Sequence, residues 1–270
     1  MKWVFFISDR TGITTEGLGN ALMTQFDGLE FKKELVPFVD TESKAEAAIA
    51  KIEARFLQTS EKPIVLTSII NPEVRKLFKN GNSFHLDFFE LFIPALEHQF
   101  NQKASLVVGR SHGISDEAKY YKRIDAIDYA LYNDDGVSAK NYDSADVILV
   151  GVSRVGKTPT CLFLAINYGI KAANYPLAET DLKHDKLPKL LVQYHSKLFG
   201  LTIDANRLHS IRSQRIPDSE YAKLSTCQDE VAAAERIMQL NGVPILNTSL
   251  KSIEEISVGI MQGIRLKRNF

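Results

Sequence analysis

Short apolar runs alternate along the chain with longer segments whose apolar residues recur every three or four positions. Residues 3–8 form an aromatic-rich apolar run, which predicts a buried strand. Residues 14–26 then show helical spacing through Leu18, Ala21, Leu22 and Phe26. Residues 34–39 predict a second strand, and 43–57 a helix carried by Ala45, Ala48, Ile49, Ile52 and Phe56. Residues 64–70 are a continuous apolar strand, followed by Asn71 as a cap and Pro72 at the first position of a helix. In the second half, strands are expected over 146–150, 171–174, 198–203 and 243–246. A final helix over 253–264 has Ser252 and Glu255 spaced as a capping box.

Strands alternating with helices imply parallel sheets. The fold expected is α/β: an N-terminal Rossmann-like parallel-sheet domain over 1–105, then a P-loop kinase-like α/β domain over 145–270. The intervening 106–144 is more polar and reads as a connection. It carries Arg110-Ser111-His112-Gly113, a helix over 120–131 and the turn Asp134-Asp135-Gly136. No internal repeat or low-complexity tract is visible.

Composition narrows the function classes. Of 270 residues, 44% are apolar and 24% charged, which is ordinary for a globular protein. Lys plus Arg balances Asp plus Glu at 33 each, so neither nucleic acid nor a membrane surface is the expected partner. The apolar start breaks at Ser8-Asp9, too early for a signal peptide, and no run approaches membrane-span length. A soluble, cytoplasmic protein is expected. Cys161 and Cys227 form no metal-type or redox spacing and read as buried thiols.

The chemistry-bearing motif is Gly151-Val152-Ser153-Arg154-Val155-Gly156-Lys157-Thr158, which fits G-x-x-x-x-G-K-[ST] at every fixed position. Chance alone would give such a match in about one chain of this length in a hundred. The setting is more telling than the match, because an apolar strand precedes it and a helix-capable segment follows. The glycines let backbone N–H groups wrap a phosphate, and the helix N-terminus adds positive partial charge. Lys157 is the catalytic candidate for the transferred phosphate and is expected to be solvent-accessible. The Thr158 hydroxyl suits Mg²⁺. Pro159 is tolerated in a first helical turn.

Other candidates surround this loop. Asp204, at the end of an apolar run, can hold Mg²⁺ as a second catalytic residue, cap the helix that follows, or do both. Arg207, Arg212 and Arg215 can neutralise phosphoryl charge or lie on a solvated helix. Ser8, Asp9 and Thr11 follow the first strand, where open α/β sheets bind ligands, and equally suit a turn and a helix cap. His112 has no partner at triad or metal spacing. There is no G-x-S-x-G nucleophile elbow and no N-K-x-D guanine-reading motif.

Several segments together resemble the bacterial regulatory proteins of phosphoenolpyruvate synthase (pyruvate, water dikinase), relatives of the pyruvate, phosphate dikinase regulators. They are Phe6-Ile7-Ser8-Asp9-Arg10-Thr11-Gly12-Ile13-Thr14, His112-Gly113, Arg123-Ile124-Asp125-Ala126-Ile127-Asp128-Tyr129 and Asp134-Asp135-Gly136. The P-loop with Pro159-Thr160, Ala173-Asn174-Tyr175-Pro176-Leu177 and Leu198-Phe199-Gly200-Leu201-Thr202-Ile203-Asp204 continue the pattern. Tyr221-Ala222, Cys227, Glu230 and Ser252-Ile253-Glu254-Glu255-Ile256 complete it. The intact Gly156-Lys157-Thr158 favours the synthase-regulator branch. At Arg10 the chain departs from the family, which often has glycine there.

The resemblance implies two activities. One transfers the β-phosphate of ADP to a threonine of phosphoenolpyruvate synthase and inactivates it. The other uses inorganic phosphate to remove that group as pyrophosphate and restores activity. ADP, inorganic phosphate and Mg²⁺ are thus the small molecules expected, and the synthase is the partner, with a homodimer an open option. A small-molecule P-loop kinase and a non-catalytic nucleotide-dependent binding module are the competing readings.

Overall fold

The computed structural model describes residues 1–107, 117–134 and 139–268. The chain divides into two compact units, Met1–Gly113 and Ile114–Phe270. The first unit runs β1 (Lys2–Ser8), α1 (Ile13–Met23), β2 (Phe31–Val36), α2 (Glu42–Thr59), β3 (Ile64–Ser68), α3 (Pro72–Lys76), β4 (Phe84–Asp87) and α4 (Phe88–Phe100). Its four strands are parallel in the order β2-β1-β3-β4.

β1 is central because both of its faces are apolar. Val4 and Phe6 point to one side and pack with Leu66 and Phe88. Phe5 and Ile7 point to the other and pack with Ala45, Ala48 and Ile52 of α2. The edge strand β2 starts earlier than the pattern predicts, with Phe31 opposite Lys2. Lys32 and Lys33 obscure it in the sequence, yet an edge strand tolerates charge on its open side. β4 and α4 were not anticipated. α4 carries Pro94 in its interior, and its N-terminus is fixed by Asp87, whose carboxylate accepts from Glu90 N at 2.7 Å.

The second unit runs α5 (Glu117–Tyr132), β5 (Val147–Gly151), α6 (Lys157–Tyr168), β6 (Ala172–Pro176), α7 (Glu179–Leu182), α8 (Lys189–Val192), β7 (Leu198–Thr202), α9 (Ala205–Arg215), α10 (Leu224–Leu240), β8 (Ile245–Asn247) and α11 (Ile253–Gly263). Its parallel sheet has the order β6-β5-β7-β8. This is the first unit's topology again, although no sequence repeat links the two.

α5 falls inside the segment read as a connection, and its packing assigns it to the second unit. Ala126, Tyr129 and Ala130 are buried in that unit's core with Leu164 and Ala165 of α6. Its amphipathic face, not its polar average, decides where it belongs. The expected capping box at Ser252 and Glu255 is present, with both reciprocal bonds formed. Among the described residues, no helix is long and apolar enough to cross a membrane.

Candidate functional site

β5 is buried along its whole length and delivers the chain at Gly151 to the loop that precedes α6. The loop needs glycine at two places. Gly156 caps α6 in the left-handed region, with φ 96°. At Gly151, with φ 156°, a Cβ would stand 2.3 Å from the Leu201 carbonyl oxygen of the neighbouring strand.

The loop's carbonyls are held by the protein around it. Arg212 Nη2 donates to Ser153 O at 3.2 Å, Thr248 Oγ1 to Val155 O at 3.1 Å, and Thr160 Oγ1 to Gly156 O at 2.8 Å. Tyr221 Oη donates to Ser153 Oγ at 3.0 Å. Anion binding by a loop requires its acceptors to be engaged elsewhere, because a free carbonyl repels phosphate.

Lys157 is not solvent-accessible as the sequence suggested. It is 4% exposed, and its ammonium donates to Gly151 O at 2.9 Å and Val152 O at 2.7 Å. The loop curls back over the first turn of α6 and covers the side chain. The charge is thereby held at the loop's own centre.

A cavity of about 530 Å³ opens beside the loop, within the usual range for small-molecule sites. Among the described residues, Lys157, Arg154 and Arg215 line it with one carboxylate, Asp134, a balance of charge that favours a polyanion. Pro159 and Ile211 add apolar wall. Asp134 was read only as part of a turn. Thr158 Oγ1 donates to its Oδ1 at 2.8 Å. Asn174 Nδ2, from the buried part of β6, donates to the same oxygen at 2.6 Å and to Thr158 Oγ1 at 3.1 Å. These partners lie far apart in sequence, which is why local pattern did not bring them together. The signal in the sequence was a polar Asn174 at the end of the strand expected over 171–174.

The other sequence candidates distribute differently. Arg215 lines the cavity; Arg207 is exposed and is not among the lining residues. Arg212 is fully buried behind the loop. It pairs with Glu230 at 2.7 Å, donates to Tyr221 O at 3.0 Å and stacks its guanidinium 4.0 Å from the Tyr221 ring centre. It therefore supports the loop and is no mobile phosphate ligand. Asp204 is exposed and caps α9, its Oδ1 accepting from Asn206 N and Arg207 N at 3.0 Å each; it does not line the cavity.

Ser8, Asp9 and Thr11 belong to the first unit. Ser8 is buried and bonds to Ser68, and Asp9 Oδ2 accepts from Ile70 N at 2.8 Å. Thr11 is exposed. His112 lies outside the described residues. Cys161 and Cys227 are buried free thiols, and burial pushes both above their ordinary range.

Comparison with known proteins adds a family. The family model described as kinase/pyrophosphorylase matches residues 4–261. A protein of Laribacter hongkongensis is 52% identical over 267 residues, covering 98% of this chain and 97% of the relative. One from Neisseria meningitidis is 47% identical, covering 100% of this chain and 98% of the relative. One from Legionella pneumophila is 45% identical, covering 99% and 98%. All three are provisionally named phosphoenolpyruvate synthase regulatory protein.

Proposed function

The chain belongs to the kinase/pyrophosphorylase family, and from that premise we propose that it switches phosphoenolpyruvate synthase off and on by moving one phosphoryl group. In the kinase direction, a threonine oxygen of the synthase forms a bond to the β-phosphorus of ADP. The bridging bond to the α-phosphate breaks, the hydroxyl proton leaves to solvent, and AMP departs. In the phosphorylase direction, an oxygen of inorganic phosphate attacks the phosphothreonine phosphorus. The bond to the threonine oxygen breaks, that oxygen regains a proton, and pyrophosphate departs.

The observation that carries this reading is the loop of residues 151–158 closed around Lys157 beside a cavity with three cations. Phosphoryl transfer needs positioning and charge stabilisation more than covalent chemistry, and such a site supplies both. Magnesium, when bound, would neutralise charge on the transferring phosphate, with Thr158 as the hydroxyl suited to it. In either direction a phosphate stands opposite the threonine oxygen: the α-phosphate of AMP, or inorganic phosphate. One subsite can serve both. The working location is the cytoplasm, with the target.

The test is mass spectrometry of phosphoenolpyruvate synthase after incubation with this protein and ADP. Phosphothreonine is expected, followed by pyrophosphate release when phosphate is added. AMP should inhibit that release competitively with phosphate. A phosphorylated metabolite in place of phosphothreonine would make the protein a small-molecule kinase, and nucleotide binding without turnover would make it a binding module. Non-competitive AMP would require two separate phosphate subsites.

A further inference from the structure

We propose that Asp134, held by Asn174, is the carboxylate that organises a divalent cation at the Thr158 hydroxyl. This rests on the nucleotide reading above and names the residue that reading lacks. The hydroxyl of Thr158 is oriented from two sides: it accepts from Asn174 Nδ2 and donates to Asp134 Oδ1. Asn174 Nδ2 also donates to Asp134 Oδ1. Carboxylate, amide and hydroxyl therefore form one closed triangle on the wall of the cavity that Lys157 lines.

The triangle is built on fixed elements. Asn133, next to Asp134, is buried; its backbone N–H donates to Tyr129 O at 3.0 Å and its side-chain amide to the same oxygen at 2.9 Å. The carbonyl of Asn133 accepts from Asn174 N at 3.1 Å. Asn133, and with it the adjoining Asp134, is thus tied to the end of α5 and to β6 at once. A carboxylate pinned in this way holds its position when a charged ligand arrives.

The donor set suits magnesium. That ion keeps much of its water shell and takes the rest of its ligands from substrate phosphates and one or two carboxylates. A carboxylate offers roughly four acceptor positions, and the two bonds to Asp134 Oδ1 leave capacity for a metal-bound water or the metal itself. Asp204, the alternative in the sequence, commits its Oδ1 to two backbone N–H groups at the start of α9.

The test is ADP affinity with and without Mg²⁺, by calorimetry, for the wild type, Asp134→Asn and Asp204→Asn. Wild type and Asp204→Asn should bind ADP at least about tenfold more tightly with the metal. Asp134→Asn keeps the shape and one acceptor but removes a negative charge from the cavity wall, so it should bind metal-free ADP at least as tightly as the wild type and lose the metal-dependent gain. As a readout independent of any variant, Mn²⁺ with ADP should broaden the side-chain amide resonance of Asn174 in the wild-type protein. A full Mg²⁺ gain in Asp134→Asn, or an Asn174 resonance untouched by Mn²⁺, overturns the assignment. If Asp134→Asn abolishes transfer while keeping the full Mg²⁺ gain, the carboxylate moves a proton and does not hold the cation. Failure of the wild type to bind ADP under any condition would instead remove the nucleotide reading.

Discussion

The two sheets share one topology, and among the described residues the G-x-x-x-x-G-K-[ST] pattern follows the central strand of the second alone. In each, the first strand lies inside the sheet and the third runs beside it, so β1 and β5 both end at a switch point. Each then enters a loop closed by a left-handed glycine that caps a helix, Gly12 with φ 77° and Gly156 with φ 96°. Beyond that glycine they part. The first helix opens on Ile13, 68% exposed, and the second on Lys157, folded into its own loop. The switch point of the first unit is occupied by hydroxyls bonded to one another (Ser8, Ser68 and Thr15) and by the Asp9 carboxylate. A carboxylate there repels phosphate. Topology supplies a place for a ligand; the few residues of the loop decide whether an anion is welcome.

Removing the lysine should have the largest effect. Lys157→Ala is expected to lower phosphoryl transfer at least about 10³-fold, close to 4 kcal/mol of transition-state stabilisation. Because the side chain is buried and bonded to two carbonyls, the variant should also lose about 1–2 kcal/mol of stability. Rates in both directions and a denaturation midpoint check this. Unchanged rates would leave the two loops functionally equivalent and break the comparison.

Arg212→Ala comes next, at about 3 kcal/mol of stability. It leaves the Glu230 carboxylate without its cation and the Ser153 and Tyr221 carbonyls without their donor. Arg212→Lys should recover only part of the loss, since an ammonium does not reproduce the planar fork or the stacking on Tyr221. Thermal denaturation distinguishes this from an exposed arginine, whose removal would leave the midpoint nearly unmoved.

A matched pair of glycine substitutions sharpens the contrast. Gly156→Ala and Gly12→Ala should each cost about 1–2 kcal/mol, because both positions need the left-handed region. At Gly156 no heavy atom lies within 4 Å of the added Cβ, whereas at Gly12 it meets the Leu35 side chain at 2.6 Å. Stability should therefore fall at least as much at Gly12. Transfer should fall only at Gly156, where the loop shapes the cradle. Equal loss of transfer at both would give the first unit a direct part in the chemistry.

These differences also explain what could be read from the chain. The strand–loop–helix setting of residues 147–168 was legible because the motif's fixed residues are contiguous and sit between a continuous apolar strand and a helix. β1, β3 and β5 were legible because strands buried on both faces are apolar without interruption. β2 shifted because Lys32 and Lys33 sit on an edge. α4 went unnoticed because Pro94 and several exposed aromatics blur its periodicity. Asp134 reaches Thr158 and Asn174 across 24 and 40 residues, so its part in the site exists only once the sheet and α5 are packed. Arg212 looked like its exposed neighbours because helix spacing does not tell which side faces a loop distant in sequence.

The smallest effect is expected at Asp204, and its smallness is informative. The carboxylate stands at the end of β7, where strand ends bind ligands in open α/β sheets, so position alone gives it a claim on the metal. The hydrogen bonds argue otherwise. One oxygen accepts from both Asn206 N and Arg207 N, satisfying two donors at the start of α9, and the side chain is exposed. Its own backbone N–H is held by Ser249 Oγ at 2.7 Å, which fixes the cap without help from a ligand. An asparagine oxygen can take the same two bonds, and asparagine caps helices about as well as aspartate. Only the charge is lost, and its interaction with the helix dipole is worth about 0.3–1 kcal/mol at an exposed site. Asp204→Asn should therefore shift the denaturation midpoint slightly, by an amount that shrinks with added salt. Its turnover and Mg²⁺ dependence should match the wild type. A fall in turnover at unchanged ADP affinity would return Asp204 to the chemistry.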